Sequence, residues 1–400
     1  MYRLTNPTMN YAWGSVDLIP ALMGVIPDGR PVAEVWMGAH PASPSSIEVD
    51  GSAVELDAFI AADPERALGA SAATAPAAHL PFMLKLLAAT KALSLQVHPT
   101  RVQAAEGYER ENAAGIALDD PARNYRDREH KPEMLWALTE FDMMCGFRPV
   151  DAIRALLTDL QVPELAPCVA ALGAGEPAEA IEAALTLLLT APPEHQRVLT
   201  TAVVGAALAH PEPRAEYALV RDLAHLYPDD VGIVASLFLN QLRIYPGESV
   251  FVGAGLVHSY VRGLGVELMA ASDNVLRAGL TPKHVDVPEL LHLVDFTPGE
   301  PQRLTPHPVG GALTYLPPIE DFALWTYRNE SADADAEVAG PVLSAPSAGP
   351  RIALCCSGRT TVTRGAEQLE LAPGESAFVP ASDGPVTITS TGAVAVAYLP

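Results

Sequence analysis

A helical block set between two stretches of strand texture constrains this chain more than any other feature. From about residue 149 to 241 apolar residues recur at helical spacing, as in VDAIRALLTDL, PAEAIEAALTLLLTA and HQRVLTTAVVGAALAH, with Pro and Gly between the runs. Residues 1 to about 148 instead hold short apolar runs divided by Pro, Gly and Asp, and strand texture resumes at LRIYPGESVFVGAGLVHSYV. Strands on both sides of a helical block predict a β unit interrupted by an insertion. Helical patterning within the first stretch is expected near AVELDAFIAADPERALG and PFMLKLLAAT. The small, polar segment NESADADAEVAGPVLSAPSAG marks a linker near residues 330 to 349. The expected organisation is therefore mainly β with an α-helical insertion. Residues 1–148 join 242–329 in a discontinuous unit, 149–241 form the insertion, and 330–400 form a last unit that shares strands with the preceding segment.

Four hundred residues exceed one ordinary domain, which agrees with two or three units. The net charge of −23 argues against a partner that is nucleic acid or an anionic membrane, because the field of the chain repels phosphate polymers. A small anionic substrate would need a local basic pocket. Cys145, Cys168, Cys355 and Cys356 show neither a disulfide framework nor a CxxC spacing and read as buried free thiols. The N-terminal MYRLTNPTMNYAWG has no continuous apolar core, and no segment has the length of an uninterrupted membrane span. The expectation is a monomer in a reducing cytoplasm.

An internal echo links YPGESVFVGAGLVHSY, from Tyr245, to APGESAFVPASDGPVT, from Ala372. Both read turn, strand, turn, as small jelly-roll barrels would require. Counted from the proline of each copy, the place of His258 in the first is held by Pro385 in the second.

The stretch KALSLQVHPT, residues 91–100, alternates between Leu93, Leu95 and Val97 on one face and Ser94, Gln96 and His98 on the other. REHKPEMLWAL adds His130, Lys131 and Glu133, and GAGLVHSYVRG places His258 after a Gly-rich turn at the mouth of a strand. Two imidazoles, a carboxylate and an amide oxygen make an N/O metal site with room for water or substrate, and this chemistry leaves zinc, manganese and iron open. Each His taken singly reads as an ordinary hydrogen-bonded residue, and no HExxH spacing is present. In VELMAASDNVLRAGLTPKHVDV, Glu267, Asp273, Asn274, Arg277 and Lys283 surround a Gly-containing turn. Arg and Lys there suit a phosphate or a developing oxyanion, and equally a solvated loop.

The strings EVWMGAHPASPS, KALSLQVHP, HKPEM, VHSYVRG and ELMAASDNVLRAGLTPKHVDV, in this order across residues 34–287, closely resemble the type I mannose-6-phosphate isomerases, zinc enzymes of the cupin superfamily. The resemblance implies cupin jelly-roll barrels, the second of them metal-free, with the helical block between cupin segments. It implies one Zn2+ per chain, on Gln96, His98, Glu133 and His258. Ser94, Gln96 and His98 would then face the barrel interior while Leu93, Leu95 and Val97 pack outward. Arg277 falls on the family's active-site arginine. Trp13, Glu34, Lys85, Ser94, Lys131, Asp273 and Lys283 fall on other pocket positions, and His130 on a residue associated with sugar-ring opening. One departure follows the last zinc histidine, where the family commonly reads HAYLSGD and this chain HSYVRGLG, which sets Arg262 where a small residue is usual.

The implied reaction converts mannose 6-phosphate and fructose 6-phosphate reversibly through a cis-enediol. Zinc polarises the sugar oxygens, Arg277 stabilises the developing charge, and Lys131, Asp273 or a metal-held water carries the proton. Lys85 and Lys283 would meet the phosphate. A sugar-phosphate sensor would lack the proton-transfer groups, and a metal-dependent oxygenase would not need the added Gln or the lysines.

Overall fold

The computed structural model describes residues 1–70, 79–329, 340–346 and 349–400, so most of the linker expected near 330–349 lies outside the described residues. The architecture is mainly β with a helical insertion, as the patterning predicts.

The first β unit is organised by one long strand, His258–Ala270. Its first half pairs with Phe141–Phe147 and meets Leu95–Val97, while its second half pairs with Phe82–Ala89 and Glu133–Ala137. The strand thus passes from one sheet of the barrel to the other. The turn between them falls at a register shift next to Gly263, which has φ +137°. A Cβ on Gly263 would stand 2.6 Å from a ring carbon of Phe141 and 2.7 Å from the Glu140 carbonyl, so only glycine fits this corner.

The run Phe82–Ala89, expected as helix, is a strand buried on every residue. Phe82, Leu84, Leu86 and Ala88 pack into a core shared with the C-terminal unit, while Leu87 and Ala89 turn into the first barrel. A strand covered on both faces loses its alternation and reads as a continuous apolar run, which periodicity alone does not separate from a buried helix. The other helical expectation holds, with helices Leu56–Ala62 and Pro64–Leu68. The second of these is capped by Asp63, which accepts from the Arg66 amide at 3.1 Å.

Between strands Phe141–Phe147 and Leu239–Ile244 run the helices Val150–Asp159, Ala166–Ala171, Pro177–Leu189, Pro193–Ala209 and Ala215–Leu226. Their apolar faces form one core with Leu95, Val97, Met144 and Phe147 of the sheet. The outward face of the Leu95–Val97 strand is therefore buried against the insertion. The strand itself is shorter than the alternation suggests, with residues 91–94 and 98–100 outside it.

The C-terminal unit is a seven-stranded sheet against a four-stranded one. The larger sheet begins with Tyr2–Leu4, paired to Ser376–Val379, so both chain ends build it. In Arg351–Ser357, Ile352 and Leu354 face the first barrel, and Ala353 and Cys355 face the interior of the second.

The internal echo is structural. Strands Ser249–Val252 and Ser376–Val379 start three residues after Pro246 and Pro373. Both turns place glycine at positive φ, at Gly247 and Gly374. The glutamate after it accepts from the first residue's amide, Tyr245 to Glu248 at 2.9 Å and Ala372 to Glu375 at 2.8 Å. The partner strands match in register too, with Val252 opposite Glu133 and Val379 opposite Arg351. All four cysteines are free and buried. No helix among the described residues is long and apolar enough to cross a membrane.

Candidate metal centre and active site

Sheet register assembles the centre. Gln96 on the Leu95–Val97 strand lies opposite His258 on one side and Arg277 on the other. Glu133 starts the strand Glu133–Ala137, which pairs with the second half of the long strand, and His98 follows directly after Val97.

The two imidazoles are fixed by their outer nitrogens. His98 donates from Nδ1 to the Asn274 carbonyl at 2.7 Å, and His258 from Nδ1 to the Leu256 carbonyl at 3.0 Å. Each Nε2 then points inward, His98 3.2 Å from Glu133 Oε1 and His258 3.3 Å from Oε2. Burial, helped by the charge of Lys131, holds His98 down to about 4, so it is neutral near pH 7. Glu133 stays ionised: burial raises its pKa, but the charge of Lys131 and its contacts with both histidines pull it well below the usual carboxylate range. The bare lone pair of His98 and the carboxylate repel across such a distance unless a cation lies between them, and His98 Nε2 is a buried nitrogen without a hydrogen-bond partner. The three ligand atoms lie within 4.8 Å of one another. Ligands at zinc distances around a tetrahedron stand roughly 3.3–3.6 Å apart, so the trio fits one such ion.

Gln96, Lys131, Glu133 and His258 line one cavity, with Leu93, Tyr260 and Glu267. Its enclosed part is about 60 Å³, room for an ion and a few water-sized oxygens. Leu93 therefore faces the pocket rather than packing outward with Leu95 and Val97, because residues 91–94 precede the regular strand. Ser94 is half-buried beside it.

Lys131 donates from Nζ to Glu133 at 2.7 Å. Lys85 was expected to meet phosphate, but its charge is already matched. Its Nζ lies 2.9 Å from Glu267 and 3.6 Å from Glu34, over the Trp36 ring. Burial alone would lower its pKa, yet Glu267 and Glu34 raise it far above the ordinary value. Glu34 in turn accepts from Trp36 Nε1 at 2.7 Å.

Arg277, half-buried, and Lys283 have no ion-pair partner among the described residues. Burial and neighbouring cations lower both, Arg126 acting on Arg277, and Arg277 with Arg126 on Lys283. Three cations kept together without a counter-charge make a site for an anion. Asp273, with 47% of its side chain exposed, lies 3.2 Å from His40 Nε2. Its neighbour Asn274 ties this turn to the loop before Lys131, accepting from the Arg126 amide at 2.7 Å and donating to the Glu129 carbonyl at 2.8 Å.

His130 turns to the charged group Arg101, Glu129 and Asp321, its Nε2 3.0 Å from Asp321. Trp13 packs against the cluster holding Leu87, Leu93 and Tyr260 and stacks on Tyr11 at 5.7 Å. Arg262 points away from the pocket, bonding Asp142 at 3.0 Å with most of its side chain in solvent. Its side chain therefore does not reach the sugar's surroundings.

Sequence reasoning assigned no role to Tyr260, His40, Arg126 or Asp321, and named Glu267 only as one of the charged residues around a turn. Two had a signal: Tyr260 stands two residues after His258 and so shares its strand face, and Glu267 is a lone acid in an apolar strand. The other three depend on contacts between distant segments.

Residues 1–150 match the family model described as phosphomannose isomerase type I, catalytic domain, and residues 337–399 the mannose-6-phosphate isomerase cupin domain. The mannose-6-phosphate isomerase of Escherichia coli K12 is 38% identical over 402 residues, covering all of this chain and 99% of that one. Mannose-6-phosphate isomerase 2 of Arabidopsis thaliana is 31% identical, covering 95% of this chain and 88% of that one. The crystal structure of mannose 6-phosphate isomerase from Salmonella typhimurium with its substrate fructose 6-phosphate and zinc superposes with a TM-score of 0.90. That structure is 36% identical and covers 100% of this chain and 99% of its own. With these relatives matched along 95–100% of its length and a His–Glu–His centre able to hold one metal ion, the chain belongs to the type I mannose-6-phosphate isomerases, a family of aldose–ketose isomerases.

Proposed function

We propose that this chain interconverts mannose 6-phosphate and fructose 6-phosphate through a cis-enediol, at one zinc held by Gln96, His98, Glu133 and His258. The observation that carries this reading is the convergence of two imidazole Nε2 atoms on the Glu133 carboxylate at 3.2 and 3.3 Å. The catalytic unit in this reading is 1–148 with 242–329, backed by the insertion 149–241 and by a metal-free cupin unit at 330–400 that borrows the strands Tyr2–Leu4, His307–Val309, Ala312–Tyr315 and Ala323–Arg328 for its larger sheet. It acts as a monomer in the cytoplasm.

Zinc bound there supplies Lewis-acid polarisation of the sugar oxygens. The chain's own groups do the rest. Arg126, Arg277 and Lys283 receive the phosphate side of the sugar, their mutual repulsion relieved by its charge. Arg277, adjacent to Gln96 in register, also reaches toward the reacting end and donates to oxygen as negative charge develops. A proton leaves C2 and returns at C1. Asp273 accepts it: burial raises its pKa, but His40, Lys131 and Lys85 lower it below the usual value, so it is ionised at neutral pH. Lys131, held by Glu133 at 2.7 Å, is the second proton-carrying group. His130 assists ring opening, and Trp13, Glu34 and Ser94 form the sugar's surroundings.

The test is turnover of mannose 6-phosphate before and after chelation, with elemental analysis of the same samples. One zinc per chain, with activity lost and regained as zinc leaves and returns, is expected, as is loss of zinc from His98→Ala. Full turnover by metal-free chain would overturn the reading.

A further inference from the structure

We propose that His40 is a positioning residue for the reaction, holding one oxygen of the Asp273 carboxylate so that the other is presented to the sugar. The inference rests on Asp273 being a proton-transfer group. His40 sits in the loop after the strand Glu34–Met37 and is buried, with 4% of its side chain exposed. Its Nδ1 accepts from the Ala42 amide at 3.3 Å, which puts the ring proton on Nε2. That nitrogen lies 3.2 Å from Asp273 Oδ1.

Both partners are held from behind. The His40 ring packs against Trp36, centroids 5.2 Å apart, and Trp36 is itself fixed by its bond to Glu34. The Asp273 amide donates to Asp127 Oδ2 at 2.9 Å, anchoring the turn that bears the carboxylate. No second ion pair reaches Asp273 among the described residues, so Oδ2 is left for a ligand. A half-exposed carboxylate on a turn would otherwise sample several rotamers, and a misplacement of an ångström costs about a hundredfold in rate. The groups that bear electrostatically on Asp273 are His40, Lys131 and Lys85, with Asp127 and Tyr11 adding negative charge or sensing it.

The experiment compares zinc content, kcat, KM and the pH dependence of kcat/KM for His40→Leu, His40→Gln and Asp273→Asn. His40→Leu is expected to keep its zinc and a KM within about threefold, lose about tenfold or more in kcat, and move the acidic limb to higher pH. His40→Gln, whose amide can still donate to Asp273, is expected to recover most of kcat. If His40→Leu does not fold, His40→Gln and its pH limb carry the comparison. Full kcat in His40→Leu beside an impaired Asp273→Asn would overturn the inference alone. His40→Gln as impaired as His40→Leu, with the acidic limb unmoved, would do the same. Full kcat in Asp273→Asn would remove the reading of Asp273 and this inference with it.

Discussion

At the scale of single residues, the site separates charges that are already matched from charges that are not. Lys85 is closed within a triad with Glu34 and Glu267, and Lys131 within a bond to Glu133. Arg277 and Lys283 are left with other cations for neighbours. The two should therefore respond differently. Arg277→Ala is expected to lower kcat by roughly two orders of magnitude, as loss of a group aimed at a developing oxyanion does. Arg277→Lys should restore little, since a point charge does not replace a planar fork. Lys283→Ala should chiefly raise KM, because phosphate binding is felt equally by substrate and transition state. Steady-state kinetics on the three variants check this, and an unchanged kcat in Arg277→Ala would make Arg277 a phosphate anchor only.

At the scale of elements, the long strand His258–Ala270 sets the geometry, because it carries His258 of the candidate metal centre in one sheet and Glu267 in the other. Its bend depends on Gly263. Gly263→Val forces a branched side chain into φ +137° and against Phe141, and is expected to cost about 3 kcal/mol or more, read as a fall in Tm. His98, Glu133 and His258, which the fold brings together, were legible in sequence because each lies in a short distinctive string, and Gln96 lines the same cavity. The strand Phe82–Ala89 was misread because burial on both faces removed the alternation that marks a strand. Leu93 was assigned the wrong face because the strand begins only at Leu95. His40 with Asp273 and His130 with Asp321 were not legible, since segments about 190 to 230 residues apart meet only through tertiary packing.

At the scale of the whole molecule, one barrel has a His–Glu–His group able to hold a metal ion, and among the described residues its echo has no such group. The register place of Glu133 is taken in the second barrel by Arg351, and Pro385 stands at the place of His258. Arg351 is fully buried and donates to the carbonyls of Pro346, Gly384 and Pro380 at 2.8–3.1 Å. A fixed cation thus occupies the register place of the carboxylate ligand. Arg351→Met leaves three carbonyls short of a donor, that of Pro380 buried and those of Pro346 and Gly384 part-buried, and is expected to destabilise the chain by about 2–4 kcal/mol, measured by denaturant unfolding, with zinc content unchanged at one per chain. A second equivalent of tightly held zinc in the native chain would contradict this view of the two barrels.

The most direct measurement is nuclear magnetic resonance of the product formed from mannose 6-phosphate deuterated at C2. If Asp273 or Lys131 carries the proton, the label passes through a group that exchanges with solvent before delivery to C1. The expected product is fructose 6-phosphate with deuterium at C1 in part of the molecules and solvent hydrogen in the rest. Complete retention over many turnovers, or no fructose 6-phosphate from a zinc-loaded chain, would contradict proton transfer at this site.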